Sequence, residues 1–133
     1  MTTPAPVPVT PSSSSRGALV LFWVLAVAGA AVMFVAWGWM ATSWIDEILE
    51  EPRARAAGTT VQGTAMVVGG VPLVIAHLLG FTVLVPAARS AGASRGRAFG
   101  YAGAAIGVAS LIGVLTAQFL MGSQPFVEPV FIP

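Results

Sequence analysis

The side chain best suited to chemistry is His77, the one histidine of the chain. It stands in a stretch, residues 56–88, that holds no charged residue. A histidine in such a setting can relay protons, ligate a haem iron or contact a quinone. A relay needs a carboxylate at a similar depth, which this stretch lacks, and a bis-histidine haem needs a second chain. We therefore interpret His77 as a neutral ring hydrogen-bonded to a backbone carbonyl or to a Ser or Thr of a neighbouring helix, with a functional role as the alternative.

Four acids are crowded into residues 44–51, whose sequence is WIDEILEE. Helical spacing places the apolar side chains on one face and the acids on the other; these acids are Asp46, Glu47, Glu50 and Glu51. The pattern predicts a short interfacial helix, either separate from the first helix or a continuation of it, that ends at Pro52. The acids are then either a solvated helix end or an acidic patch that docks a partner or collects cations.

Catalytic and metal-binding constellations are missing from the sequence. With no cysteine and a single histidine, disulfides, zinc–thiolate sites and iron–sulfur clusters are excluded. No nucleophile–base pair, facing carboxylate pair or phosphate-binding loop is visible. The sequence therefore predicts a protein that is not an enzyme and that has no catalytic residue, metal site or cofactor.

Charge is scarce and confined to short clusters. Charged residues make up 8% of the chain and hydrophobic residues 56%, against about 25% and about 45–50% in soluble domains. The clusters leave three uncharged stretches, residues 18–45, 56–88 and 98–127, each longer than the roughly 20 residues that cross a bilayer as a helix. A chain of 133 residues cannot bury three such stretches in a soluble core. The predicted fold is an all-α integral membrane protein with three transmembrane helices, at about 18–41, 61–85 and 98–121.

The second predicted helix contains a break. Pro72 follows Gly69 and Gly70, and a proline removes a hydrogen-bond donor and crowds the carbonyl four residues earlier, here that of Val68. In lipid that carbonyl needs another partner. The sequence therefore predicts a kink at Gly69, Gly70 and Pro72.

The third predicted helix carries a stripe of small residues. They recur at steps of four, three, four and three: Gly96, Gly100, Gly103, Gly107 and Ser110. Small residues let two helix backbones approach closely in lipid. We predict that the stripe packs against the first or second helix of the same chain, with contact to a second subunit as the alternative.

The arginines predict the orientation. The N-terminal segment and the second loop together hold four, whereas the first loop and the C-terminus together hold two. Positive charge stays on the cytoplasmic side, so we expect a cytoplasmic N-terminus and an external C-terminus. The second loop sets this topology through Arg89, Arg95 and Arg97. Lysine and asparagine are absent and alanine and glycine are abundant, which indicates a GC-rich bacterial genome and so the bacterial plasma membrane.

The chain divides into a helical domain and two tails. Residues 1–15 are rich in proline and serine and are predicted to be disordered. Residues 16–122 form the three-helix transmembrane domain, and residues 123–133 form a proline-rich tail. A signal peptide cleaved near residues 28–30 is an alternative to the first helix, but the apolar run continues past that site to Trp39.

Small extramembrane mass and few charges favour a role in helix packing. We predict a small protein without catalysis that acts as an accessory or structural subunit of a membrane complex or as a homo-oligomer. Its partners are then the lipid bilayer and other membrane subunits or a second copy. Nucleic acid is excluded because the basic loop is too short and lacks aromatic residues. The alternative is a transporter or channel component that uses the broken second helix and His77.

Overall fold

The computed structural model of the protein describes residues 13–120, which fold into three helices. α1 spans Ser13–Ala56, α2 spans Val71–Ser90 and α3 spans Arg95–Leu120. A single π-helical turn, Met66–Gly70, leads directly into α2. No strand occurs between residues 13 and 120, so the described part of the chain is all-helical, as predicted.

All three helices are long and apolar enough to cross a membrane. The candidate spans are Arg16–Ala56, Met66–Ser90 and Arg95–Leu120, and the mean hydropathy of their most apolar 18-residue windows is 2.6, 2.1 and 1.8. They cover the helices predicted at 18–41, 61–85 and 98–121, apart from residues 61–65, which precede the second span, and residue 121, which is not among the described residues. The prediction of three membrane-length helices is confirmed.

The first helix is longer than predicted at both ends. It begins at Ser13, inside the predicted tail of residues 1–15. The remainder of that tail, residues 1–12, and the predicted C-terminal tail lie outside the described residues. The short helix predicted after the first helix is a direct continuation of α1, and the prediction that Pro52 ends it is wrong, because α1 continues to Ala56.

Ion pairs stabilise the last turns of α1, which continue past Pro52. Proline removes one backbone hydrogen bond and strains the preceding turn. Arg53 pairs with Glu50 at 2.9 Å, and Arg55 pairs with Glu51 at 2.8 Å. Such pairs one turn apart stabilise a helix, and arginines in its last turn interact favourably with the helix dipole. These contacts offset part of the cost of the proline.

Small residues make up most of the interior. The buried face of α3 repeats at steps of four, four, three, four and four: Ala98, Ala102, Ile106, Ala109, Gly113 and Ala117. A Cβ added at Gly113 would lie 2.7 Å from Cδ1 of Trp37 and 3.2 Å from the carbonyl oxygen of Met33, so α1 runs close to the backbone of α3 here. Bulky side chains such as Leu78 and Leu111 are instead more than half exposed on the outside.

The predicted break in the second helix takes the form of the π turn. Met66–Gly70 departs from α geometry, and Pro72 is the second residue of α2. Nε1 of Trp39 on α1 donates a hydrogen bond to the carbonyl oxygen of Val68 at 3.0 Å. That oxygen is the one crowded by Pro72, so a side chain from the neighbouring helix supplies its new partner. A single π turn inside a helix is one of the known causes of a helix kink.

Gly69 is buried at the point where α1 passes the π turn. A Cβ at Gly69 would lie 2.8 Å from Cα of Met40 and 3.2 Å from Cβ of Ser43. At the adjacent Gly70, the nearest atom would be Sδ of Met40 at 4.0 Å, an ordinary van der Waals contact. The lack of a side chain at Gly69 therefore allows α1 and the π turn to lie this close together, whereas the lack of a side chain at Gly70 does not affect their distance.

We expect Gly69→Ala to lower the free energy of unfolding by about 1–3 kcal/mol, because a backbone atom of Met40 cannot rotate out of the way. Gly70→Ala is the matched control and should change it by less than about 1 kcal/mol. Equilibrium unfolding in mixed detergent micelles, followed by circular dichroism, measures both. Equal effects of the two substitutions would contradict the close approach.

Candidate functional site

His77 lies half-buried on α2, within hydrogen-bond distance of α3. Its Nδ1 is 2.7 Å from the carbonyl oxygen of Leu73, one turn earlier, and its Nε2 is 2.6 Å from Oγ of Ser110. These are the two kinds of partner that the sequence predicts, a backbone carbonyl and a serine of a neighbouring helix. Both ring nitrogens are engaged within the chain, so a metal ion could bind the ring only by displacing one of them.

The hydrogen-bond partners of His77 define where its protons lie. A carbonyl oxygen only accepts, so Nδ1 carries a proton and donates to Leu73. In a neutral ring, Nε2 accepts a hydrogen bond from the hydroxyl of Ser110. In a doubly protonated ring, Nε2 donates to Ser110, whose own hydrogen can then turn toward Sδ of Met33, 3.9 Å away. The contact can satisfy either form of the ring and connects all three helices.

Within residues 13–120, no carboxylate lies beside His77. The described acids all lie at residues 46–51 of α1, whereas Met33 is the α1 residue at the level of the Ser110 hydroxyl. Within residues 13–120 no group of three or more potential ligands could hold a metal ion. The arrangement can therefore bind a proton in a contact between helices, but the described chain places no carboxylate at this level to pass it on.

The predicted glycine stripe of α3 divides between two environments. Ser110 bonds His77, and a Cβ at Gly103 would lie 3.9 Å from the ring of Phe81. No described atom lies within 4 Å of the Cβ position at the other three members, Gly96, Gly100 and Gly107. The prediction that the stripe packs within the chain is wrong for these three, because α3 turns its alanine-rich face inward instead.

The arginines predicted to set topology lie around the turn between α2 and α3. They are exposed, and none forms an ion pair with a described residue: Arg89, Arg95 and Arg97. Arg16 lies exposed near the start of α1. At the far end of α1, by contrast, Arg53 and Arg55 are paired with acids. The two ends of the bundle therefore differ in free positive charge.

Two acids of residues 44–51 bind the loop that precedes the π turn. The carboxylate of Glu47 accepts hydrogen bonds from the backbone N–H groups of Gly63 at 2.9 Å and Ala65 at 2.7 Å. Glu51 accepts one from the N–H of Val61 at 2.8 Å. Carboxylates at a helix N-terminus satisfy unpaired N–H groups and complement the helix dipole. Glu47 and Glu51 therefore hold the loop against α1 and are not free to form a docking patch.

Sequence reasoning missed the roles of Glu47, Glu51 and Gly113. A usable signal existed for the acids: they are four residues apart, on one helical face, and only a short loop separates them from the next helix. A signal for Gly113 also existed, because it continues the alanine repeat that starts at Ala98. Both signals depend on knowing which face of a helix meets its neighbour.

Comparison with known proteins adds no relative. No protein-family profile matches the sequence, and no curated protein or solved structure is significantly similar to it. Function is therefore argued from the geometry and charge described above.

We expect His77→Ala and Ser110→Ala to be non-additive, because each removes the same interhelical hydrogen bond. In a double-mutant cycle the coupling should be about 0.6 kcal/mol, and no more than about 1.7 kcal/mol, the range of such bonds in membrane proteins. The free energy of unfolding in mixed micelles is the measured quantity.

A control cycle pairs His77→Ala with Thr82→Ala, since the hydroxyl of Thr82 bonds only its own helix, at Leu79. This cycle should be additive. Additivity in the Ser110 cycle as well would show that the contact contributes nothing to packing.

Proposed function

We propose that this chain is a multi-pass protein of the bacterial plasma membrane that acts, without catalysis of its own, as an accessory or structural subunit of a membrane complex or as a homo-oligomer. Its N-terminus is cytoplasmic and its C-terminus external. The observation that carries the proposal is the face of α3 that α1 and α2 leave open, with Gly96, Gly100 and Gly107 along it.

The distribution of large and small side chains supports insertion in lipid. The buried positions are mostly alanine, whereas leucines and valines on every helix are largely exposed, among them Val27, Leu79 and Leu115. An apolar surface of this extent is an aggregation hazard in water. In hydrocarbon it is in its preferred solvent, and close packing of small residues then holds the helices together.

The positions of tryptophan and arginine support the orientation. Trp23 and Trp44 are 21 residues apart on α1, a rise of about 31 Å, close to the roughly 30 Å of a bilayer hydrocarbon core. Indole rings favour the two membrane interfaces. The unpaired arginines gather at the end of the bundle that holds Trp23, which is the end expected to face the cytoplasm.

Single-cysteine labelling tests the orientation without interference, because the chain has no cysteine of its own. Ala57→Cys lies after α1 and Ser94→Cys lies before α3, and both positions are exposed. In intact bacterial spheroplasts, a membrane-impermeant maleimide should label Ala57→Cys, and it should label Ser94→Cys only after permeabilisation. The reverse pattern would overturn the orientation, and external labelling of both would overturn the three crossings.

The open face of α3 supports a subunit role because Gly96, Gly100 and Gly107 place no side chain there. A helix from another chain can approach such a surface as closely as α1 approaches Gly69 and Gly113. The loops between the three helices are short, so helix faces make up most of the surface that residues 13–120 offer to a partner.

We expect the protein to co-purify with a membrane partner, or as an oligomer, after solubilisation in mild detergent. Bulky substitutions on the open face, Gly100→Ile and Gly107→Ile, should abolish that association, because they prevent close approach of the backbones. Mass spectrometry of the co-purifying proteins identifies a partner, and cross-linking detects an oligomer.

Gly38→Ile on α1 is the matched control, since its Cβ position is also free of neighbours within 4 Å. It should leave the association intact. A lone monomer that captures no other protein would remove the basis of the proposal.

A second candidate function is a component of a transporter or channel. It is favoured by the π turn at Met66–Gly70 followed, about two helical turns later, by a histidine held between helices. Proton flux through protein-containing vesicles that is lost in His77→Gln would favour this candidate over the subunit role.

A further inference from the structure

A groove of about 700 Å³ runs along the bundle between α1 and α3. It is deep because the residues along its floor are alanines, Ala26 and Ala30 on α1 and Ala105 and Ala109 on α3. Larger apolar side chains on both helices form its walls, and the turn at residues 91–93 closes one end. The groove has the size of a ligand pocket and an almost wholly apolar lining.

Polar groups occur at the closed end of the groove. Arg97, Tyr101 and Trp23 line it there, and Arg97 is exposed and forms no ion pair with a described residue. The first N–H of α3 with an upstream acceptor is that of Ala98, which bonds Ser94 at 2.9 Å. The amides before it point out of the helix start, where anions are favoured. This end of the groove therefore combines a cation with free N–H groups.

We propose that the groove binds an anionic phospholipid of the leaflet on the Arg97 side, with an acyl chain between α1 and α3 and the phosphate at Arg97. The inference rests on the membrane insertion proposed above. The occupant matches the groove in polarity, since it is apolar along its length and anionic at one end. Trp23 and Tyr101 then lie at the level of the headgroup, where amphipathic rings are stabilised.

The length of the groove also fits one lipid chain. It extends along α3 from Arg97 to Ile112, and the 15 steps between these residues rise about 22 Å. One leaflet of a bilayer contributes about half of the roughly 30 Å hydrocarbon core. An acyl chain that starts at the headgroup level therefore remains inside the groove through the full depth of its leaflet.

Charge complementarity selects the phospholipid over other occupants. Residues 1–12, which precede α1 at this end, contain no Asp or Glu and so offer no anion to Arg97. A second copy of the chain would bring its own arginines to the same level, since its described acids all lie at residues 46–51, toward the other end. A neutral quinone would fill the apolar part and leave the arginine without a counter-charge.

Quenching of Trp23 fluorescence tests the proposal directly. The protein is reconstituted in phosphatidylcholine vesicles that contain a minor fraction of either phosphatidylglycerol or phosphatidylcholine with brominated acyl chains. The difference between the wild type and Trp23→Phe isolates the signal of Trp23 from that of the other tryptophans. We expect the association of brominated phosphatidylglycerol with this site to exceed that of brominated phosphatidylcholine about fivefold, the preference conferred by one arginine near the surface.

Two variants separate the charge from the groove. Arg97→Gln should bring the ratio close to one, whereas Arg53→Gln, at the other end of the bundle, should leave it unchanged. Ala104→Phe places a ring into the groove from an exposed position and should reduce quenching by both lipids. Circular dichroism and the free energy of unfolding establish that each variant is folded.

Equal quenching by the two lipids in the wild type, or an unchanged ratio in Arg97→Gln, would overturn the proposal. So would weak quenching by both lipids together with disulfide cross-linking of Ala104→Cys between two chains, because the occupant would then be a second copy. Protein that fails to float with the vesicles would overturn the membrane insertion and, with it, this inference. Protein that floats and shows equal quenching would overturn the groove assignment alone.

Discussion

The close approach of α1 to both of its neighbours is the constraint on which the other contacts depend. A Cβ at Gly69 would lie 2.8 Å from the Cα of Met40, and a Cβ at Gly113 would lie 3.2 Å from the carbonyl oxygen of Met33. In the lipid that we propose surrounds them, the helices would gain nothing by burying more hydrocarbon, so van der Waals contact between closely packed surfaces would have to hold them together. Alanine and glycine are therefore the residues of the interior, and leucine and valine are those of the exterior.

This spacing brings the few polar groups within reach of one another. The indole of Trp39 reaches the carbonyl of Val68, and the ring of His77 reaches Ser110, only because the helix axes are close. Each contact satisfies a group that would otherwise be costly to expose to hydrocarbon. The small residues allow the helices to pack closely, and these directional hydrogen bonds between the helices form as a result. His77 therefore contributes to the packing of α2 against α3, whatever further role it has.

The two ends of the bundle are built differently. At one end, Glu47 and Glu51 bind the loop before α2. Arg53 and Arg55 form ion pairs with nearby acids, so most of the charged groups at this end have partners within the chain. At the other end, the arginines have no described partner and lie beside an apolar groove. Charge that is free at only one end is the observation on which both the proposed orientation in a membrane and the proposed anion site rest.

Part of the site could be predicted from single residues. The break at Gly69, Gly70 and Pro72 was predictable because a proline acts on its own helix. The need of the Val68 carbonyl for another hydrogen-bond partner was predictable for the same reason, but the sequence did not indicate that Trp39 is that partner. The types of partner for His77 followed from the cost of burying an imidazole, yet the choice of Ser110 required the register between α2 and α3.

The sequence by itself determined that there are three helices of membrane length and that the arginines are unevenly distributed, because hydropathy and charge are properties of each segment alone, but it did not determine where α1 begins and ends. Only the tertiary structure decided which faces meet. α3 carries two small-residue faces, one with Gly100 and one with Ala102, and periodicity cannot distinguish them. The alanine face is the one that contacts α1 and α2, because a contact between helices depends on the shape of both partners and not on the pattern of either one.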